Sequence, residues 1–120
     1  MSCAKVITVL DSYVMTASQA NHTSSVANLT TGYGGMLYIQ YINQAVSPAV
    51  AASSSIMVSP ENVTWTSYAG PLVGNSGSLV SSSWAVPIPI GVNYLRVDTI
   101  GNTIGYFNLN IQISEVTRIQ

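Results

Sequence analysis

Few side chains in this sequence could serve as nucleophiles, acids or bases. Its 120 residues include a single cysteine, Cys3, and a single histidine, His22. A Cys–His pair can activate a thiolate, but this one would have to join the start of the chain to a Ser/Thr-rich segment typical of a loop. We therefore predict that His22 is a solvated surface residue. One Cys and one His also cannot fill the tetrahedral shell of a zinc ion within one chain, so no metal is expected.

The four carboxylates do not form an obvious acid–base pair either. Asp11, Glu61, Asp98 and Glu115 are far apart in the sequence, and two of them would have to meet through folding before they could cleave a glycosidic bond. We expect Glu61 to stabilise a turn and Asp98 to pair with Arg96, two residues away on one strand face. No glycine-rich phosphate loop opens a helix. The sequence thus predicts a protein that is not an enzyme and binds no cofactor.

Aromatic side chains leave two interpretations open. Exposed Trp and Tyr rings can act as stacking platforms for sugars, and Trp65 with Tyr68 would be the candidate pair. Large aromatic side chains more often supply core contacts. We therefore expect Trp65 in the core and keep the sugar platform as the alternative.

The low charge of the chain limits its partners. Charged residues make up 6% of the sequence and the formal net charge is −1, against about 25% charged residues in an ordinary soluble domain. Three basic residues cannot form the cationic surface that nucleic acids or anionic membranes require. Weak self-repulsion favours association of copies. The single Cys excludes an internal disulfide, and the absence of a signal-peptide pattern predicts synthesis in the cytosol.

Short apolar runs rich in Val, Ile, Thr and Tyr, separated by Gly, Pro, Asn and Ser, predict strands throughout. The predicted strands are residues 5–10 and 13–17, interrupted at 11–12, then 26–30, 36–43, 53–59, 63–68, 79–86, 92–99 and 106–113. In the last one, apolar residues alternate with Asn108, Asn110 and Gln112, so we expect Phe107, Leu109 and Ile111 in the core with Leu95 or Val97. Pro87 and Pro89 indicate an edge strand or a crossing segment. This spacing predicts one all-β domain over residues 1–120, a two-sheet antiparallel β-sandwich of jelly-roll or immunoglobulin-like order. A short N-terminal segment and a C-terminal tail at 115–120 would flank it.

Two segments are candidates for protein contact. The strand at 36–43 is apolar on one face and only partly polar on the other, so Tyr38, Gln40 and Ile42 could touch another chain. The Gly- and Pro-containing stretch at 70–78 is the best predicted loop, and loops often carry binding residues. Its contact candidates are Pro71, Leu72 and Val73.

Several short motifs resemble those of small virion proteins of tailed phages. They are residues 58–65 (VSPENVTW), 83–89 (SWAVPIP), 94–97 (YLRV), 101–103 (GNT) and 116–119 (VTRI), and the resemblance covers residues 26–119. It implies a capsid decoration (cement) protein on the virion surface. The partners would be the major capsid protein and further copies of this chain, with a trimer favoured. A neck or tail component and a carbohydrate- or receptor-binding module are the alternatives.

Overall fold

The computed structural model describes residues 2–15, 21–43, 52–74, 81–100 and 107–119, and these residues form an all-β structure. The strands are β1 (Ser2–Met15), β2 (Asn21–Thr23), β3 (Ala27–Asn28), β4 (Gly32–Asn43), β5 (Ser53–Ser59), β6 (Thr66–Val73), β7 (Ser81–Ile88), β8 (Tyr94–Ile100) and β9 (Phe107–Ile119). Within these ranges, no helix of the length and hydrophobicity needed to cross a membrane is present.

The strands form two antiparallel sheets whose order identifies the topology. Sheet A runs β1-β9-β4-β7, and sheet B runs β2-β8-β5-β6 with β3 also paired to β8. Consecutive strands β1 and β2 lie in different sheets, whereas an immunoglobulin-like sandwich keeps its first two strands side by side. The interleaved order is that of a jelly roll, one of the two predicted arrangements.

The core lies between the sheets and follows the two-residue period of the strands. On β9, Phe107, Leu109, Ile111 and Ile113 are at most 1% exposed, while the intervening Asn and Gln face outward. They meet the β8 residues, which include Leu95 and Val97, both 0% exposed. The predicted core positions of β8 and β9 are therefore confirmed.

Both open edges of the sandwich are bridged. At one edge, the Ser25 amide donates a hydrogen bond to the Leu10 carbonyl of β1, 3.3 Å away. At the other, the Tyr68 hydroxyl of β6 donates to the Pro87 carbonyl of β7, at 3.0 Å. These bonds join sheet A to sheet B where neither sheet has a strand partner.

Three buried hydroxyls form a polar link through the core. Tyr41 of β4 is hydrogen-bonded to Ser54 of β5, which is in turn 2.8 Å from the Thr99 hydroxyl of β8. All three residues are at most 2% exposed. Because a buried hydroxyl is costly unless it is bonded, this chain of contacts fixes the relative position of the two sheets.

Burial of this link makes folding stability sensitive to alkaline pH. Desolvation raises the pKa of Tyr41 to about 12, whereas a tyrosine in the unfolded chain titrates near 10. The stabilisation is complete below pH 10 and is lost as pH rises toward 12, by about 2 to 3 kcal/mol at most. Urea unfolding of wild type and Tyr41→Phe should show that the variant loses less stability over this range. Tyr38→Phe, at an exposed tyrosine, should behave like wild type, and equal slopes for all three proteins would contradict the assignment.

Three expectations about strand boundaries are wrong. Residues 115–119 are not a tail, because β9 continues to Ile119 and pairs with β1 from Ser2 onward. Strand β1 passes through the predicted break at 11–12 and carries only a bulge between Val9 and Asp11. Residues 70–73 belong to β6 and not to a loop. The predicted turn at 101–103 and positions 75–78 of the predicted loop lie outside the described residues.

The loop prediction failed because of a bulge. Ser54 pairs with Leu72 and Ile56 with Ala69, so Gly70 and Pro71 together lie opposite Ser55. A strand at the edge of its sheet can accept Pro, since no neighbour needs its missing amide proton. Gly70 and Pro71 therefore mark a kink within β6 and not a loop.

Candidate functional site

The outer face of sheet A is a broad surface made almost entirely of uncharged side chains. Cross-strand pairing arranges it in rows that run from β1 through β9 and β4 to β7. The rows are Ile7, Ser114, Met36 and Pro87; Val9, Gln112, Tyr38 and Ala85; Ser12, Asn110, Gln40 and Ser83; and Val14, Asn108, Ile42 and Ser81. The four rows contain no charged residue; Lys5 on β1 lies beyond the first row, and Arg118 follows further along β9.

A concave groove of about 450 Å³ crosses the middle two rows. Tyr38 and Gln40 come from β4, Asn110 and Gln112 from β9, and Ser83 and Ala85 from β7. The pairs Tyr38–Gln112 and Gln40–Asn110 are directly opposite in the ladder. Neighbouring strands are about 4.8 Å apart and same-face residues along a strand about 7 Å apart, so these six side chains form a small, dense grid. We call it the amide groove.

The amide groove is exposed and available to a partner. The Tyr38 side chain is 48% exposed, and Gln40 and Gln112 are also exposed. Tyr38 and Gln40 were predicted as contact residues, and the third, Ile42, lies half-buried in the adjacent row. Asn110 and Gln112 were recognised only as the polar side of the last strand. Their two-residue spacing indicated that Asn110 and Gln112 share one face of the strand. Their position beside Tyr38 and Gln40, however, depends on the register between β4 and β9, which the spacing does not give.

The other predicted contact residues lie elsewhere. Pro71 and Val73 are exposed on β6 of sheet B, and Leu72 packs against the core. They share no face with Tyr38, since β4 belongs to sheet A. The structure does not bring the two predicted sets of contact residues together.

Trp65 is not in the core, contrary to expectation. It is half-buried just before β6, with the Arg96 guanidinium 4.5 Å from its ring centre. Arg96 also pairs with Asp98, Nε to Oδ1 at 3.1 Å, as predicted. The Pro-Glu-Asn turn ends before Trp65 and leaves it on the outer side of sheet B, where a cation covers one ring face.

The alternative sugar platform is therefore not an open pair of rings. Tyr68 is 41% exposed, but its hydroxyl is bonded to Pro87 at the edge of the sandwich. The Arg96 guanidinium covers one face of the Trp65 ring. Trp84, the second tryptophan, packs against the core and meets Tyr41 edge to face with ring centres 5.0 Å apart.

His22 is not a free surface residue. Its Nε2 lies 2.5 Å from the Asp11 carboxylate, and its ring stacks on Tyr13 with centroids 3.9 Å apart. Asp11 and Tyr13 are on β1 of sheet A and His22 is on β2 of sheet B, so the contact clamps the sandwich edge. Cys3 precedes Asp11 by eight residues along β1, or roughly 27 Å of extended strand. The backbone of Cys3 thus lies far along the strand from the Asp11 that contacts His22.

Glu61 stabilises a turn, as predicted. Its Oε1 accepts a hydrogen bond from the Thr64 amide at 2.5 Å, and the Ser59 hydroxyl accepts one from the Asn62 amide at 2.9 Å. The bond from Thr64 holds the pKa of the Glu61 carboxyl below its usual range. Asn62 adopts a φ of 65°, a left-handed conformation that Asn tolerates. The Glu61 carboxylate therefore serves to hold this turn.

The paired ends of β1 and β9 form a second exposed feature, the terminal ribbon, residues 2–9 and 112–119. Val6, Ile7 and Val9 are 45%, 68% and 56% exposed, although Val6 points to the inner face and the other two to the outer face. On the inner side, the Glu115 side chain lies against Gly32, and partial burial raises the pKa of its carboxyl. The ribbon thus presents apolar side chains on both faces of an edge strand.

The described residues define a jelly-roll β-sandwich with an uncharged outer face, an amide groove and an apolar edge strand. Within these residues, no cluster of three or more His, Cys, Asp or Glu side chains has the arrangement of a metal site. No family model matches the chain, and no curated protein matches its sequence significantly.

Solved structures share the fold. The VP2 subviral particle of infectious bursal disease virus aligns with a TM-score of 0.57 at 11% identity, covering 97% of this chain and 33% of that one. The Gx strain of the same virus gives 0.56 at 12%, covering 98% and 33%. The K3 cleaved adhesin domain of Lys-gingipain from Porphyromonas gingivalis W83 gives 0.51 at 14%, covering 82% and 65%. The chain thus spans about a third of the viral chains, and the likeness shows the β-sandwich fold.

Proposed function

We propose that this protein is a non-enzymatic structural component of a tailed-phage virion, a decoration protein that binds the major capsid protein as a homo-oligomer, with a trimer favoured. The observation that carries the proposal is the terminal ribbon. An edge strand with apolar side chains on both faces is a site for pairing with another chain, and proteins that work alone protect such edges with charges, Pro or short strands.

The ribbon has little of that protection. Strand β1 is 14 residues long and contains no Pro. Lys5 is the only Lys or Arg on the strand. The bulge between Val9 and Asp11 and the Ser25–Leu10 bond limit pairing at the far half of β1 and leave the edge of residues 2–9 without a partner among the described residues. Covering this edge in an assembly would remove Val6, Ile7 and Val9 from water.

Three further features support a place in a particle. The sequence motifs resemble virion proteins of tailed phages. The fold recurs in a chain that builds a subviral particle, which supports the same class of role without specifying it. The near absence of charge lets copies pack side by side with little repulsion.

The test is whether the protein purifies with phage particles and in what ratio to the major capsid protein. We expect many copies per particle, spread over the capsid and not confined to one vertex. Particles stripped of the protein should keep their genome at ordinary temperature but lose resistance to heat. Adding the purified protein back should restore resistance. A dozen or so copies confined to the tail, or stripped particles as robust as intact ones, would replace this proposal with a neck or tail role.

A further inference from the structure

We propose that the amide groove is a binding site for a neutral oligosaccharide. This inference does not depend on the proposed function, because it rests on the groove alone and assigns Tyr38 and Gln40 to a ligand instead of to another protein chain.

The composition of the groove selects the chemical class. An amide side chain offers two donor hydrogens and an acceptor oxygen, and a sugar hydroxyl is itself both donor and acceptor. Gln40, Asn110 and Gln112 place three such amides within the grid, and Ser83 adds a hydroxyl. No hydrogen bond between these amides and any other described side chain competes for them. A ligand with many hydroxyls can satisfy all of them at once.

Other ligand classes fit less well. A phosphate or carboxylate would require a nearby cation, and the four rows around the groove contain none, since Lys5 and Arg118 lie beyond the first row. A cation would need carboxylates, and the groove contains none. A wholly apolar ligand would strip water from the three amides without replacing their hydrogen bonds. A protein partner would need roughly 800 Å² of matching surface per side, whereas the polar contacts here converge in one concave region.

Tyr38 supplies the apolar contact that a sugar also needs. Its ring is 48% exposed in the centre of the groove and is flanked along the rows by Gln112 and Ala85. Sugar rings have an apolar face formed by their C–H groups, and an exposed aromatic ring can pack against such a face. The grid of one ring and four polar side chains spans about 10 Å across the strands, so it can contact more than one sugar unit.

The experiment uses an array of neutral oligosaccharides built from glucose, galactose, mannose or N-acetylglucosamine, followed by titration of any hit. The Trp84 ring lies on the core side of β7, so binding is measured by isothermal titration calorimetry, and Trp65→Phe is titrated beside wild type. We expect at least one neutral glycan to bind, with an affinity insensitive to salt because the groove has no charge to screen.

Variants separate the groove from other surfaces. Tyr38→Ala should weaken binding about tenfold through loss of the packed ring, and Gln112→Ala about fivefold through loss of a hydrogen bond. Val14→Ala, on the same face but outside the groove, should change nothing, and its melting temperature and those of the two groove variants should match wild type.

Several outcomes would overturn the assignment. They are an array with no neutral glycan bound above background, equal binding by Tyr38→Ala and wild type, and loss of binding in Trp65→Phe, which would return the site to the alternative platform. Loss of particle attachment in Tyr38→Ala without any glycan binding would make this face a protein contact. A Tyr38→Ala protein that stays on particles but no longer binds the glycan would show that the amide groove binds sugar independently of any decoration role.

Discussion

Replacing Ile7 with Lys should weaken self-association or particle attachment by about a hundredfold. Ile7 is 68% exposed on the outer face of β1, in the part of the strand whose edge is open. Burying an Ile in an interface contributes about 1.5 to 3 kcal/mol, and each 1.4 kcal/mol changes an equilibrium constant tenfold. A lysine at an edge strand also opposes pairing because its charge would have to be desolvated. Sedimentation analysis of the purified protein, alone and with stripped particles, measures the effect.

The matched control is Ile90→Lys. Ile90 is 66% exposed, almost the same as Ile7, but lies in the turn after β7, separated from the terminal ribbon by β4. The two variants add the same charge at equally exposed isoleucines. If both change assembly to the same extent, or neither does, the terminal ribbon is not the contact surface.

Leu109→Ala should lower the free energy of unfolding by about 3 kcal/mol, within the 2 to 5 kcal/mol typical of a buried Leu truncation. Leu109 is fully buried on β9, opposite Tyr13 on one side and Tyr41 on the other. Because β9 lies between β1 and β4, a cavity there removes contacts in the middle of sheet A. Urea denaturation followed by far-ultraviolet circular dichroism gives the value.

A truncation at the surface provides the comparison for Leu109→Ala. Val14→Ala removes methyl groups from a side chain that is 52% exposed, and we expect a change within about 0.5 kcal/mol. A loss below 1 kcal/mol for Leu109→Ala would show that β9 does not form the centre of the core.

The sequence was informative wherever burial alternates with a period of two. The alternation from Phe107 to Ile113 and the β8 positions Leu95 and Val97 predicted the core, because one face of each strand must leave water. The choice between jelly-roll and immunoglobulin-like order could not be made, since strand order depends on contacts between distant segments. Pro87 and Pro89 indicated an edge strand or a crossing segment, and β7 is an edge strand of sheet A. Gly70 and Pro71 misled, since a bulge at an edge uses the same residues as a loop.

The site was only partly predictable for a similar reason. Tyr38 and Gln40 were found because their strand is apolar on its other face, but Asn110 and Gln112 join them only through the register of β4 with β9. Trp65 was misplaced because a large aromatic ring can be buried by an Arg side chain as well as by the core. The His22–Asp11 contact links two sheets, and nothing in the spacing of these residues indicated that they would meet.

The position of β9 determines how this chain must fold. In sheet A, β1 and β4 are separated by β9, so neither can complete its ladder until residues 107–119 have left the ribosome. Pairing of Ser2 with Ile119 joins residues almost the whole described chain apart. Bringing such distant residues together costs loop-closure entropy before any hydrogen bond forms between them, so folding is slow. During synthesis the apolar faces of β1 and β4 remain open, so assembly through β1 has to wait until β9 has been made.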